Sequence, residues 1–355
     1  MDNLDQLYRK WKSLFPISER KRYLLSRRFS VDYNFNSNHI EGNTLTYGQT
    51  ELLLIFGKVT GEGDLKDYVD MKASEVGMEM MREEAVLREQ PLTQNFIRQL
   101  HKTLLREDYT VYRNLPGGVV TSYMIHAGQY KTRPNSVITR YGDRFEYASP
   151  EETPALMSDL VEWYNEAEAS GEYSPVELAA LFHYRYIRIH PFEDGNGRIA
   201  RLLVNYILAR HDWPMIVVRS RIKQGYLEAL HQSDIEFGTN PSDGAHATMP
   251  QIGKFLRFFR TIVAEELKYN IGFLSEVSEK IWWYDGQKIV FRSESTPLLL
   301  IEMKKNPCVT IEGLARAASI SVAAVNKQLR RLTKLGYIQR NEKDGSWHVF
   351  ASQSI

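Results

Sequence analysis

His190-Pro191-Phe192-Glu193-Asp194-Gly195-Asn196-Gly197-Arg198-Ile199-Ala200-Arg201 stands between two helical patterns, and that junction decides the fold. Upstream, Ser174-Pro175-Val176-Glu177 is a helix start: Ser caps, Pro takes the first helical position, and Glu three residues after the cap closes a capping box. Ala179, Phe182, Tyr186 and Ile189 then fall on one face, so the spacing predicts a core-packed helix ending at His190-Pro191. Downstream, IARLLVNYIL begins a second apolar helix. Helical spacing recurs through most of residues 1–290, as in Phe96, Leu100, Leu104 and in Phe255, Phe258, Phe259, Ile262, which predicts a mainly α chain.

The loop between the two helices is built to hold an anion. Gly195, Asn196 and Gly197 tolerate the dihedrals that turn successive N–H groups toward one point, and a helix N-terminus adds its own unpaired donors. Arg198 and Arg201 sit in the first turn, where the helix dipole opposes cations by about 0.3–1 kcal/mol each. Two arginines at the wrong helix end beside a glycine nest imply a multiply charged anion, and a polyphosphate suits best. Asp194, just before the nest, is placed to hold a magnesium ion shared with phosphate oxygens. His190, four residues earlier, is placed to take a proton from an attacking hydroxyl. Taken singly, a His at a helix end reads as a cap or a packed side chain, and an Asp there as an N-cap. A zinc site from His183, His190 and Asp194 is the alternative, but it leaves both arginines unexplained.

These twelve residues resemble the signature of the Fic family at every defining position, and the resemblance spans residues 1 to about 270. It implies a helical bundle that transfers AMP from ATP to a Tyr, Thr or Ser hydroxyl of a target protein or of itself, with pyrophosphate leaving. It further implies His190 as base, Asp194 on Mg²⁺, and the 195–201 loop, including Ile199 and Ala200, around the nucleotide. Arg198 would meet the α- and β-phosphates and Arg201 the γ-phosphate. Tyr226 is a candidate for stacking on adenine, and a core aromatic otherwise.

Ser37-Asn38-His39-Ile40-Glu41-Gly42-Asn43 resembles the same family's inhibitory segment. Glu41, with Gly42 as a helix stop, puts a carboxylate at a helix C-terminus, where the dipole disfavours it, and Arg201 is frustrated in the opposite sense. Pairing Glu41 with Arg201 relieves both and withholds Arg201 from a γ-phosphate. In relatives the same glutamate assists removal of AMP, so a reverse activity is a second expectation.

Further out, residues 117–150 hold VVTSYMI, SVITR, a Gly142-Asp143 turn and FEY, which predicts a β-hairpin resembling the family's target-binding flap. After about residue 290, three short helical patterns and a polar turn before WHVFA resemble a winged helix. Residues 297–355 carry nine basic and four acidic residues, and Asn326, Lys327, Arg330, Arg331 and Lys334 mark the exposed side of a would-be recognition helix facing DNA. The expected organisation is an N-terminal helical region over 1–110, a catalytic core over 111–270, a connection over 271–295 and a winged-helix domain over 296–355.

A net charge of +1 confines any nucleic-acid surface to a local patch. The single Cys308 excludes an internal disulfide. The N-terminus lacks a signal-like apolar core, and no run reaches the roughly 18 to 20 apolar residues of a membrane helix, so a cytoplasmic location without membrane contact is expected. A protein adenylyltransferase is the leading expectation, and the family resemblance also allows a homodimer. The alternatives are a transferase of another nucleotide or phosphate group, and a DNA-binding regulator with a nucleotide-sensing site.

Overall fold

The computed structural model describes residues 4–59, 63–114, 120–138, 144–237 and 242–353. Helix α1 spans Leu4–Lys12, α2 Glu19–Ile40, α3 Tyr47–Phe56, α4 Leu65–Val86 and α5 Gln94–Leu105. Strands β1 (Tyr109–Asn114) and β2 (Val120–Ile125) pair antiparallel, as do β3 (Ser136–Ile138) and β4 (Arg144–Glu146). Then come α6 (Thr153–Ser170), α7 (Pro175–Ile189), α8 (Asn196–Arg210), α9 (Lys223–Asp234) and α10 (Gly253–Ser275). The rest alternates: β5 (Ile281–Tyr284), β6 (Gln287–Val290), α11 (Ser295–Lys305), α12 (Ile311–Ala317), α13 (Val322–Lys334), β7 (Ile338–Arg340), β8 (Trp347–Val349) and β9 (Ser352–Gln353). Helices dominate and strands are short, as the periodicity predicts.

Two compact units divide the chain. The signature unit takes Asn36–Asn43 and Leu65–Val263, and the terminal unit takes Met1–Phe35, Thr44–Asp64 and Ala264–Ile355.

In the signature unit, α7 starts where the capping box requires: Ser174 accepts from the Glu177 N–H while the Glu177 carboxylate accepts from the Ser174 N–H. The helix packs against α8 and α6, and α8 packs in turn against α4. Tyr164, Phe182, Tyr186, Phe192 and Tyr206 are fully enclosed there, each worth about 1.5–3 kcal/mol relative to exposure. The loop between α7 and α8 is therefore clamped at both ends by core.

The β interval differs from the single expected hairpin. The SVI and RFE runs do pair, as β3 and β4, while their Gly142-Asp143 turn lies outside the described residues. The VTSYMI run pairs instead with the preceding YTVYRN, Tyr109 opposite Ile125, a partner that its own alternation left unmarked.

In the terminal unit, α11, α12 and α13 with β7 and β8 enclose Leu299, Leu300, Met303, Leu314, Val325, Leu329, Leu332, Ile338 and Trp347. Trp282 belongs to the same core. It comes from β5, so the expected connection over 271–295 contributes a β-hairpin, and β5 pairs with both β6 and β9. Val31 of α2, Tyr47 and Leu52 of α3, and Phe350 form a second cluster, which ties the winged-helix elements to helices from early in the chain. No helix among the described residues is long and apolar enough to cross a membrane.

Candidate functional site

His190 ends α7 in the left-handed region at φ 51°, its N–H donating to Tyr186 O at 2.9 Å. The ring lies 3.3 Å through Nδ1 from Ile187 O, so Nδ1 carries the donated hydrogen and Nε2 keeps its lone pair. Tyr147 stacks on the ring at 3.8 Å between centroids. Desolvation, with the charge of Lys131 behind it, pushes the imidazole down to about 3 and keeps it neutral at physiological pH.

The loop that follows is held by residues far away in sequence. Lys131 donates from Nζ to Ile189 O at 3.0 Å and to Asn135 Oδ1 at 2.9 Å, and its N–H reaches Pro191 O at 2.8 Å. Asn135 Nδ2 donates to Phe192 O at 2.9 Å. His101 accepts the Gly128 N–H at Nδ1 and donates from Nε2 to Asp194 O, while its ring stacks on Phe192 at 3.7 Å. Burial pushes His101 down to about 4, fixing it as a neutral bridge. Asn196, expected around phosphates, turns inward: Oδ1 accepts from Phe192 N–H and Nδ2 donates to Phe192 O, so its side chain staples the loop.

Asp194 faces the opening, its side chain half exposed. Oδ1 accepts the Gly195 N–H at 2.6 Å, Oδ2 accepts the Tyr109 hydroxyl at 2.6 Å, and Arg198 stands 3.6 Å away. Against the cost of its burial, the Arg198 charge leads the contacts that hold this carboxyl below the usual carboxylate range. One exposed carboxylate is the donor set that a hard divalent cation uses when phosphates supply further oxygens. The zinc alternative fares worse: no cluster of three His, Cys, Asp or Glu fit for a metal exists among the described residues, and His183 Nε2 lies 2.7 Å from the Tyr226 hydroxyl.

Gly195 caps α8 at φ 76°, a conformation that favours glycine, and helix geometry leaves the N–H groups of Asn196, Gly197 and Arg198 without intrahelical acceptors. Both guanidinium groups point at this turn. A Cβ on Gly195 would meet Arg198 Nη2 at 3.7 Å, and one on Gly197 would meet Arg201 Nη1 at 3.1 Å. Arg198 Nε is buried with no hydrogen-bond partner among the described residues. Ile199 and Ala200 sit fully buried, and the Ile199 N–H donates to Gly195 O, so both serve the helix core. Tyr226 is likewise in the core, 3% exposed and edge-on to His183, a ring that presents no open face to a purine.

Arg201, 3% exposed, is already engaged. Its Nη2 donates to Glu41 Oε1 at 2.6 Å and to Ser37 O at 2.9 Å, and its Nε donates to Ser37 Oγ at 3.0 Å. Glu41 follows the last residue of α2, and Gly42 comes next at φ 98°. A Cβ on Gly197 would collide with Glu41 Oε1, so the carboxylate lies directly against the turn at the N-terminus of α8. Lys223 Nζ holds this segment from outside, donating to Ile40 O at 2.6 Å.

Comparison with known proteins bears on this arrangement. The Fic/DOC family model matches residues 91–208, and a winged helix-turn-helix DNA-binding model matches residues 293–339. A solved Fic domain-containing signaling protein from Bacteroides thetaiotaomicron is 52% identical, covers 76% of this chain and 96% of its own, and superposes with a TM-score of 0.70. This chain belongs to the Fic family. The Fic proteins it resembles include protein adenylyltransferase fic-1 of Caenorhabditis elegans, 30% identical over 204 residues, and protein adenylyltransferase Fic of Nematostella vectensis, 27% over 235. The alignments cover 57% and 65% of this chain but 36% and 50% of those relatives. The solved Fic-1 of C. elegans, at 22% identity and a TM-score of 0.58, shares the fold.

Proposed function

We propose that this Fic protein transfers AMP from ATP to a hydroxyl side chain of a protein, and that Glu41 restrains it. The observation that carries the proposal is the convergence of Arg198, Arg201 and the first N–H groups of α8 on one glycine turn, with a neutral His190 beside it. In the reaction the target oxygen bonds to the α-phosphorus, its proton passes to His190 Nε2, and the bond from the α-phosphorus to the bridging oxygen breaks to release pyrophosphate. Arg198 would steady the α- and β-phosphates, and Arg201 the γ-phosphate once Glu41 withdraws. Asp194, oriented by Tyr109 and the Gly195 N–H, would hold Mg²⁺ against the phosphates; the bound ion would neutralise charge gathering on the leaving group. The pair β3 and β4 would supply an edge along which an extended target segment docks, a mode with little sequence preference.

The test is incubation with α-labelled ATP and Mg²⁺, comparing the parent, Glu41→Gly and Glu41→Gly/His190→Ala, followed by mass spectrometry of the modified residue. Strong labelling by the first variant and loss in the second is the expected result. Label from the γ-position instead would mean phosphate transfer.

A second reading rests on α13, where Lys327, Arg330, Arg331 and Lys334 are all exposed on a helix that falls within the winged-helix match. We propose that this face contacts duplex DNA through its phosphates. Loss of labelling with intact DNA binding in His190→Ala would separate the enzyme from a regulator that merely senses nucleotide.

A further inference from the structure

A cavity of about 640 Å³ opens inside the terminal unit, among α2, α3, Phe273 of α10, the end of α11, Pro307 and the segment from Ser346 to Gln353. That is the size of a small-molecule site. Five cationic residues line it, Arg20, Arg27, Arg28, Lys58 and Lys304, against one carboxylate, Glu51. Glu51 pairs with Arg27 at 3.2 Å and its charge also acts on Lys304, so the lining carries five cations against a single carboxylate.

Arg28 is the costliest of these. It is 7% exposed, its guanidinium lies 4.1 Å from the Tyr269 ring centroid and 3.9 Å from that of Phe273, and it donates to Asn270 Oδ1. Its Nε and Nη1 are buried with no hydrogen-bond partner among the described residues. Buried charge is expensive, so an anion in the adjoining cavity would stabilise this guanidinium through its charge, without reaching Nε or Nη1. Lys304 lines the cavity and donates from Nζ to Ala351 O at 2.7 Å, and desolvation pushes it down to about 8 and Glu51 up to about 7. The rest of the wall is mixed, Ser346, His348, Ser352 and Gln353 beside apolar side chains, with Phe56 as its exposed ring.

We propose that this cavity binds a small organic anion: a phosphate or carboxylate group, attracted by the charges of Arg20, Arg28 and Lys304, joined to a planar or apolar body that lies against Phe56. The site shares no residue with the glycine turn and its two arginines, and it stands whether or not AMP transfer does.

Fluorescence titration of the full chain with anilinonaphthalene sulfonate reads the site, because that dye combines an anionic group with an aromatic body. Competition with AMP and with octanoate distinguishes the phosphate from the carboxylate source. The expected result is saturable binding in the parent, displaced by one of the two competitors. Affinity should fall about tenfold in Arg28→Met and in Arg20→Glu/Lys58→Glu, with no change in Arg201→Ala. The exposed pair Arg20 and Lys58 keeps the test decisive if Arg28→Met fails to fold. No saturable binding, displacement by neither competitor, undiminished affinity in Arg20→Glu/Lys58→Glu, or an equal loss in Arg201→Ala would each overturn the proposal.

Discussion

The first turn of α8 and the outer face of α13 are both basic, and they are finished in opposite ways. Arg201 is buried and holds three acceptors, one of them the Glu41 carboxylate, whereas Lys327, Arg330, Arg331 and Lys334 stand in solvent. The difference follows from dielectric. A guanidinium inside a core is stabilised by a partner, because uncompensated buried charge is costly. At Arg201 the chain supplies that partner itself, the carboxylate of Glu41, which on the proposed function would act as a lock. Water serves the exposed cations equally well with or without a partner, so α13 needs no lock. If Arg201 binds phosphate as proposed, inhibition would follow from burying that arginine.

The largest expected effect strikes the buried side at its base. In a Glu41→Gly background, His190→Ala should lower the labelling rate by about 10²–10⁴, the usual worth of a positioned general base, read by single-turnover kinetics with α-labelled ATP. Because burial holds the imidazole near 3, the kcat/KM of Glu41→Gly should stay level from about pH 8 to about pH 5. It should fall only as pH drops toward that value and Nε2 gains a proton. A limb near pH 6.5 would mean that His190 is solvated in the free enzyme.

Next comes the lock. Glu41→Gly removes a hydrogen bond between charged groups, worth about 1.5–3 kcal/mol, so labelling should rise about ten- to a hundredfold over the parent. Ser37→Ala removes one neutral acceptor and leaves both the Ser37 carbonyl and Glu41 in place. It should therefore release Arg201 only partly, with a rise of about two- to tenfold. Equal labelling by parent and Glu41→Gly would sink the lock, and a larger rise in Ser37→Ala than in Glu41→Gly would move it from the carboxylate to the hydroxyl.

The same contrast explains what the sequence made legible. The signature loop reads directly because its chemistry needs fixed residue types within twelve positions, and the pairing of Glu41 with Arg201 follows from two helix ends with opposite electrostatic frustration. His101, Tyr109, Lys131 and Asn135 escaped notice, although they hold Asp194 and the backbone of the loop. Their partners lie tens of residues away, and His101 shares an apolar face with Ile97 and Leu104, so it reads as plain core. Tyr226 was legible only as an aromatic, and packing assigned it to the interior. The β5–β6 hairpin had a local sign, Asp285-Gly286, with φ of 41° and 69° in the structure, but it stood in a stretch expected to be a connection. The three helices of the winged unit were legible from spacing, whereas their shared core with α3 depends on Phe350 meeting Tyr47 and on no local pattern.

The smallest effect tests the exposed side. Because that shared core makes truncation of the winged unit a folding experiment, single substitutions on α13 are the cleaner probe. Lys327→Ala should weaken binding to random duplex DNA by the same factor for every sequence, and lower the slope of log affinity against log salt by about one. Labelling by the Glu41→Gly chain should not change. A slope that stays put would mean that Lys327 meets no phosphate, and that the open face of α13 is a solvated surface whose charge carries no recognition.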